Sequence, residues 1–95
     1  MPGSLANRIA FVTGAASGIG LQIAEDFARE GARVCVADLN EPAALAAAAA
    51  IRDAGGQAIG VGCDVTREPE LDAALGQAVA AWGRIDILVN NAGLQ

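Results

Sequence analysis

Three glycines in Thr13-Gly14-Ala15-Ala16-Ser17-Gly18-Ile19-Gly20 stand where bare backbone could hold an anion. An apolar run, Ile9-Ala10-Phe11-Val12, precedes them, and a stretch with helical spacing follows. The segment reads as a strand-to-helix turn. Gly14 permits a sharp exit from the strand, Gly18 removes the Cβ that would hold a pyrophosphate off, and Gly20 lets the helix pack closely. Open N–H groups around Ser17 to Ile19 and the helix dipole both favour an anion there. The Ser17 hydroxyl adds another donor. The spacing is G-x-x-x-G-x-G rather than G-x-G-x-x-G. A tight turn with no ligand has the same composition. Its place at the junction of a strand and a helix in a βαβ unit favours phosphate binding.

Asp38 ends a second apolar run, Val34-Cys35-Val36-Ala37, and lies 18 positions after Gly20. A carboxylate about 20 residues beyond such a loop can accept from both hydroxyls of a ribose. It also repels a 2′-phosphate. Two unit charges ~5 Å apart, at an effective dielectric of about 20, oppose each other by roughly 3 kcal/mol. Ser17, Leu39 and Asn40 offer no positive charge to offset this, so NAD is expected to bind more tightly than NADP. The competing reading makes Asp38 a turn residue with Asn40. Cys63-Asp64-Val65 follows a third run. Asp64 could accept from an adenine amino group and the Val65 amide could donate to a ring nitrogen. Asp64 as a cap or turn residue before Thr66 fits equally well. Asn90-Asn91-Ala92-Gly93 follows a fourth run. Polar amides straight after a buried strand must satisfy backbone or meet a ligand, and both roles suit these two.

Other chemistry is excluded by composition. The chain holds no His, no Tyr and, with all six basic residues Arg, no Lys. A His base, a Tyr acid or a Lys amine cannot come from these 95 residues, so no catalytic residue is assigned. Cys35 and Cys63 are too few and too far apart in sequence for a disulfide framework or a zinc site, and they read as buried thiols. No metal site is expected. The net charge of −5 argues against nucleic acid or an anionic membrane as partner. No apolar run has the length of a membrane span, and the first residues do not resemble a secretory signal, so a cytoplasmic location is expected.

The elements that must position these groups follow from periodicity. Strand-length apolar runs fall at Arg8–Thr13, Arg33–Ala37, Ala58–Val61 and Ile87–Val89. Runs apolar on both faces suit a parallel sheet covered on two sides. Helices are predicted over Ser17–Glu30, with Ile19, Ile23 and Phe27 spaced four apart, and over Pro42–Ala54. A third carries the stripe Leu71, Ala74, Leu75, Ala78, Val79 and Trp82 behind Thr66 as N-cap. Gly31, Gly55 and Gly83 stop them. Right-handed crossovers then give an α/β fold, a Rossmann-type doubly wound parallel sheet of strand order 3-2-1-4. Ligand is expected beyond the carboxyl ends of strands one and four. Residues 1–95 are read as one NAD(P)-binding domain, cut after the fourth strand.

Taken together, Thr13 to Gly20, Asp38, Asp64-Val65 and Asn90 to Gly93 resemble the amino-terminal part of the short-chain dehydrogenase/reductase family. The resemblance implies NAD as cofactor and hydride transfer with an alcohol or ketone. It implies pyrophosphate contacts at Gly14, Ser17, Gly18, Ile19 and Gly20, ribose contacts at Asp38, and adenine contacts at Asp64 and Val65. It places Asn91, Ala92 and Gly93 towards the nicotinamide. Family members carry a Tyr-x-x-x-Lys pair, a Ser and a further Asn later in their chains, and assembly into a homo-oligomer is expected at full length. Asn-Asn-Ala-Gly-Leu-Gln at the end resembles the bacterial 3-hydroxybutyrate dehydrogenase branch, which implies Gln95 on a substrate carboxylate. Without the Tyr and Lys, a non-catalytic dinucleotide-binding module is the alternative.

Overall fold

A computed structural model describes residues 3–91. Strands β1 (Ile9–Thr13), β2 (Arg33–Asp38), β3 (Gln57–Gly62) and β4 (Ile87–Val89) alternate with helices α1 (Gly18–Arg29), α2 (Glu41–Asp53) and α3 (Glu68–Trp82). All pairings are parallel, and the order is β3-β2-β1-β4, as expected from the sequence. The observed bounds match the sequence reading to within a residue or so.

Burial grades outward from the centre. All five residues of β1 are buried, and four of six in β2. The outer strands β3 and β4 are only partly covered. The uniform two-sided burial expected of all four runs therefore holds for the inner pair alone. Register partners share a face in a parallel sheet. Phe11 and Cys35 sit opposite each other and, with Ala37, Val61 and Cys63, meet Ala74 and Ala78 of α3. Val12, Val34 and Val36 form a second core with Ala24 of α1 and Ala44, Ala48 and Ile51 of α2. The Ala-rich sequence of α2 has a structural reason. Gly60 of β3 lies so close to α2 that a Cβ there would stand 2.6 Å from the Ala44 carbonyl oxygen. Small residues on both elements allow that approach.

Three helix expectations need correction. Ile19 does not join Ile23 and Phe27 in the core; it is 73% exposed, because the first turn of α1 overhangs the β1 exit. Val79 also faces outward, while Leu71, Leu75 and Trp82 are half-buried against the core. The N-cap of α3 is Arg67 and not Thr66, whose hydroxyl donates to Asp64 Oδ1 at 2.6 Å. Asn40, read in the sequence as a turn residue, caps α2 by accepting from the Ala43 amide at 3.1 Å. Gly31, Gly55 and Gly83 all take positive φ at the helix ends, as expected.

A polar clamp closes the opposite end of the sheet from the glycine loop. Asp86, just before β4, accepts from the Ile9 amide at 2.9 Å. Arg84 bonds both Asp86 oxygens and the Asn7 carbonyl. The Ile9 amide and the Arg84 guanidinium hold the Asp86 carboxyl below its ordinary pKa. A lowered folded-state pKa stabilises above the unfolded value and is lost as pH falls through the folded one. Asp86→Asn is therefore expected to lower the thermal midpoint at pH 7, with a gap to the parent that narrows in acid, below about pH 4. Thermal scans across that range check this. A gap independent of pH would contradict it.

Candidate functional site

The site is built where β1, β2 and β3 end and their helices begin. At the β1 exit the chain turns through Gly14, with φ of +60°, and enters α1 through Gly18, with φ of +59°. L side chains resist that region of backbone. A Cβ on Gly18 would meet no atom of the described residues within 4 Å. Gly20 has the opposite surroundings. A Cβ there would collide with the Gly14 carbonyl oxygen and come within 2.6 Å of Asn91 Nδ2. The missing side chain seats the start of α1 directly on the β1 exit. Ser17 is the N-cap in extended conformation, and its hydroxyl makes no cap hydrogen bond. The first amide of this turn to find a helical acceptor is that of Leu21, on Ser17 O at 3.2 Å. The amides of Ser17 to Gly20 thus have no acceptor among the described residues, as the first turn of a helix leaves them.

Asp38 faces this loop from the end of β2. Its Oδ2 accepts from the Ala16 amide at 3.1 Å and its Oδ1 from the Asn40 amide at 3.0 Å. The turn role and the ligand role are therefore compatible. Each carboxylate oxygen can accept more than one hydrogen bond, so both retain capacity. No ion pair reaches Asp38 among the described residues, and its charge stands unneutralised by protein. The Asp38 carbonyl also accepts from the Cys63 amide at 2.9 Å, which ties the next loop to it.

Asp64 turns that third loop. Its Oδ1 accepts from both the amide and the hydroxyl of Thr66, at 2.9 and 2.6 Å, and these bonds hold its carboxyl below the ordinary range. Val65 contributes an amide with no acceptor among the described residues. Gly14, Ser17, Asp38, Asp64 and Val65 line one cleft of about 460 Å³, together with Leu39, Asn40, Cys63 and Thr66. That volume is typical of small-molecule sites, roughly 300–1,000 Å³. Sequence reasoning missed the last four as wall residues. Leu39 is 74% exposed there, an apolar side chain beside a polar loop. Burial, with Glu70 and Asp64 nearby, raises the Cys63 thiol pKa, so it forms a wall and not a nucleophile. Cys35 is pushed up to about 12 by burial and is equally inert.

The amides after β4 sit on the other side of the loop. Asn91 is buried and donates to the Gly14 carbonyl at 3.3 Å. Thr13 donates to Asn90 Oδ1 at 3.2 Å. These bonds tie the end of β4 to the end of β1, and the cleft of about 460 Å³ opens on the β2 and β3 side. Ala92, Gly93 and Gln95 lie outside the described residues. A second cavity of about 320 Å³ is lined by Glu25, Ala28, Arg29, Ala50, Ile51, Ala54, Gly55 and Gly56. It lies towards the far ends of α1 and α2 and contains none of the predicted site residues. No cluster of metal-ligating side chains occurs among the described residues, and none of their helices is long and apolar enough to cross a membrane.

This is a Rossmann-like α/β fold, and comparison with known proteins narrows the class. Residues 8–95 match the short chain dehydrogenase family model, and the chain belongs to that family. It is 47% identical over 88 residues to the uncharacterized oxidoreductase YxjF of Bacillus subtilis, covering 93% of this chain and 34% of that protein. It is 47% identical over 89 residues to the 7alpha-hydroxysteroid dehydrogenase of Escherichia coli, covering 94% and 35%. A solved structure of 7 alpha-hydroxysteroid dehydrogenase, complexed with NADH and 7-oxo glycochenodeoxycholic acid, superposes with a TM-score of 0.88 at 45% identity, covering 90% of this chain and 34% of that one. The chain spans about a third of the length of the curated relatives it matches.

Gly20→Ala is expected to destabilise the domain by about 1–3 kcal/mol, because the added methyl must displace backbone. Gly76→Ala, in the interior of α3 with nothing within 4 Å of its Cβ, should instead stabilise, by about 0.5–1 kcal/mol. Urea unfolding of both variants checks the pair. Equal effects would contradict the close packing of α1 on the loop.

Proposed function

We propose that this chain is the cofactor-binding portion of an NAD-dependent oxidoreductase that exchanges a hydride with a secondary alcohol or ketone. The observation that carries the reading is the Asp38 carboxylate, held by the Ala16 and Asn40 amides at the edge of the cleft with no cation beside it. The residues fit the cofactor in turn. The amides of Ser17 to Gly20 and the Ser17 hydroxyl bind the pyrophosphate, Asp38 accepts from the adenosine ribose hydroxyls, and Asp64 with the Val65 amide receives the adenine. Asn91 holds the loop from behind, with Ala92 and Gly93 continuing towards the nicotinamide. NAD, when bound, supplies the hydride acceptor. The chain's own residues bind and orient it. The acid–base groups that complete the reaction lie, on this proposal, outside residues 1–95. A relative seen with NADH supports the choice of cofactor.

Two substrate classes compete. The segment Asn90 to Gln95 supports 3-hydroxybutyrate, with Gln95 on its carboxylate. The identity to a hydroxysteroid dehydrogenase supports a bulkier secondary alcohol. The proposal includes assembly of the whole protein into a homo-oligomer and work in the cytoplasm, which suits two unpaired thiols.

Calorimetric titration of the full protein tests the cofactor assignment. NAD should bind about 10- to 100-fold more tightly than NADP, the Coulomb penalty at Asp38 being reduced by solvent. Asp38→Ala should remove most of that preference. Equal affinities in the parent would refute the assignment. Turnover of 3-hydroxybutyrate against a hydroxysteroid, followed by reduced nicotinamide absorbance, then separates the substrates.

A further inference from the structure

We propose that Glu70 is a positioning residue for the adenine end of the cleft, acting through the backbone of Asp64. The assignment rests on the dinucleotide reading above and adds to it a residue that touches no part of the ligand. Glu70 is the third residue of α3, where a carboxylate ordinarily reaches back to the N-cap amide. Here the N-cap is Arg67, and the Glu70 side chain passes it. Its Oε1 accepts from the Asp64 amide at 3.2 Å, while its Oε2 stands 3.2 Å from Arg67 Nε. The bond therefore ties the helix to the wall of the cleft rather than to its own first turn.

The consequence shows in where the loop's donors go. From Cys63 to Arg67 there are five backbone amides. Cys63 donates to the Asp38 carbonyl, Asp64 to Glu70, Thr66 to the Asp64 carboxylate, and Arg67 to the Asp64 carbonyl. Only the Val65 amide finds no acceptor among the described residues, and Val65 lines the cleft. Three of the four tied amides depend on Asp64 itself, as donor or as acceptor. Glu70 fixes the Asp64 peptide on the solvent side, where no strand does so. An apolar or missing side chain at position 70 leaves that peptide to rotate, and with it the carboxylate and the following amide that meet the adenine. The arrangement excludes the ring by no contact of its own; it sets the orientation of two groups that do make contact.

The test compares ligands with and without adenine. In the full protein, Glu70→Ala should weaken ADP-ribose binding by about 3- to 10-fold, the usual worth of one hydrogen bond. Nicotinamide mononucleotide, which lacks adenine, should bind it as it binds the parent. Glu70→Gln keeps an acceptor and should return ADP-ribose affinity to within about twofold. Hydrogen exchange at the Asp64 amide should quicken in the Ala variant and not in the Gln variant. Equal weakening of both ligands would mean a purely structural helix cap and overturn the proposal. So would unchanged ADP-ribose affinity, or a Gln variant as weak as the Ala variant. A parent protein that fails to bind ADP-ribose would overturn the dinucleotide reading first, and this assignment with it.

Discussion

Only a hydrogen atom fits between the start of α1 and the exit of β1. Gly20 rests on the Gly14 carbonyl, and the rest of the site is arranged around that contact. It sets the first turn of α1 over the end of the sheet, so the unpartnered amides from Ser17 to Gly20 collect where the strands stop. It explains why Asn91 is buried beneath the loop, since its amide reaches the same Gly14 carbonyl from the other side. It also explains why Ile19 is left in solvent. A helix pressed this closely on its own preceding turn has no room to bury the residue that overhangs it.

From that contact the cleft is assembled by a chain of hydrogen bonds. The Ala16 amide binds the Asp38 carboxylate, the Asp38 carbonyl binds the Cys63 amide, and the Asp64 turn follows directly. The three loops after β1, β2 and β3 are thus linked to one another as well as to the sheet. Such linkage suits a ligand with three chemically different parts, because each loop presents one kind of group: amide donors, a carboxylate, then an amide beside a second carboxylate. The thiol in the same wall is kept protonated by burial and by neighbouring carboxylates, which leaves binding rather than nucleophilic chemistry to this end of the fold.

The fold was legible because local signals agreed with one another. Four apolar runs, three helical stretches and three stop glycines point to a parallel sheet, and the glycine-loop placement after the first strand suits the observed order 3-2-1-4. The bases of the cleft were legible for the same reason, since glycine spacing and a carboxylate at a strand end are features of single segments. Most of what escaped depends on contacts between segments. Thr66 has the chemistry of an N-cap, yet Asp64 two residues earlier competes for its hydroxyl and wins. Asn91 has the chemistry of a ligand contact, and the fold adds that its amide also donates to the Gly14 carbonyl, distant in sequence. Leu39 and Asn40 look like ordinary turn residues until the loop after β3 faces them across the cleft. Glu70 looks like a helix-start carboxylate favoured by the dipole, and only the fold shows that it reaches the Asp64 peptide.

The central claim is that the cleft at the strand ends, and not the cavity between the far ends of α1 and α2, receives the adenosine diphosphate part of a dinucleotide. Backbone amide NMR during titration with ADP-ribose tests it most directly. The account predicts that the amides of Ser17 to Gly20, Asp38 and Val65 shift together at one affinity, while those of Ala28, Ile51 and Gly55 stay in place. Shifts centred on Ala28, Ile51 and Gly55, with the glycine loop unmoved, would contradict it.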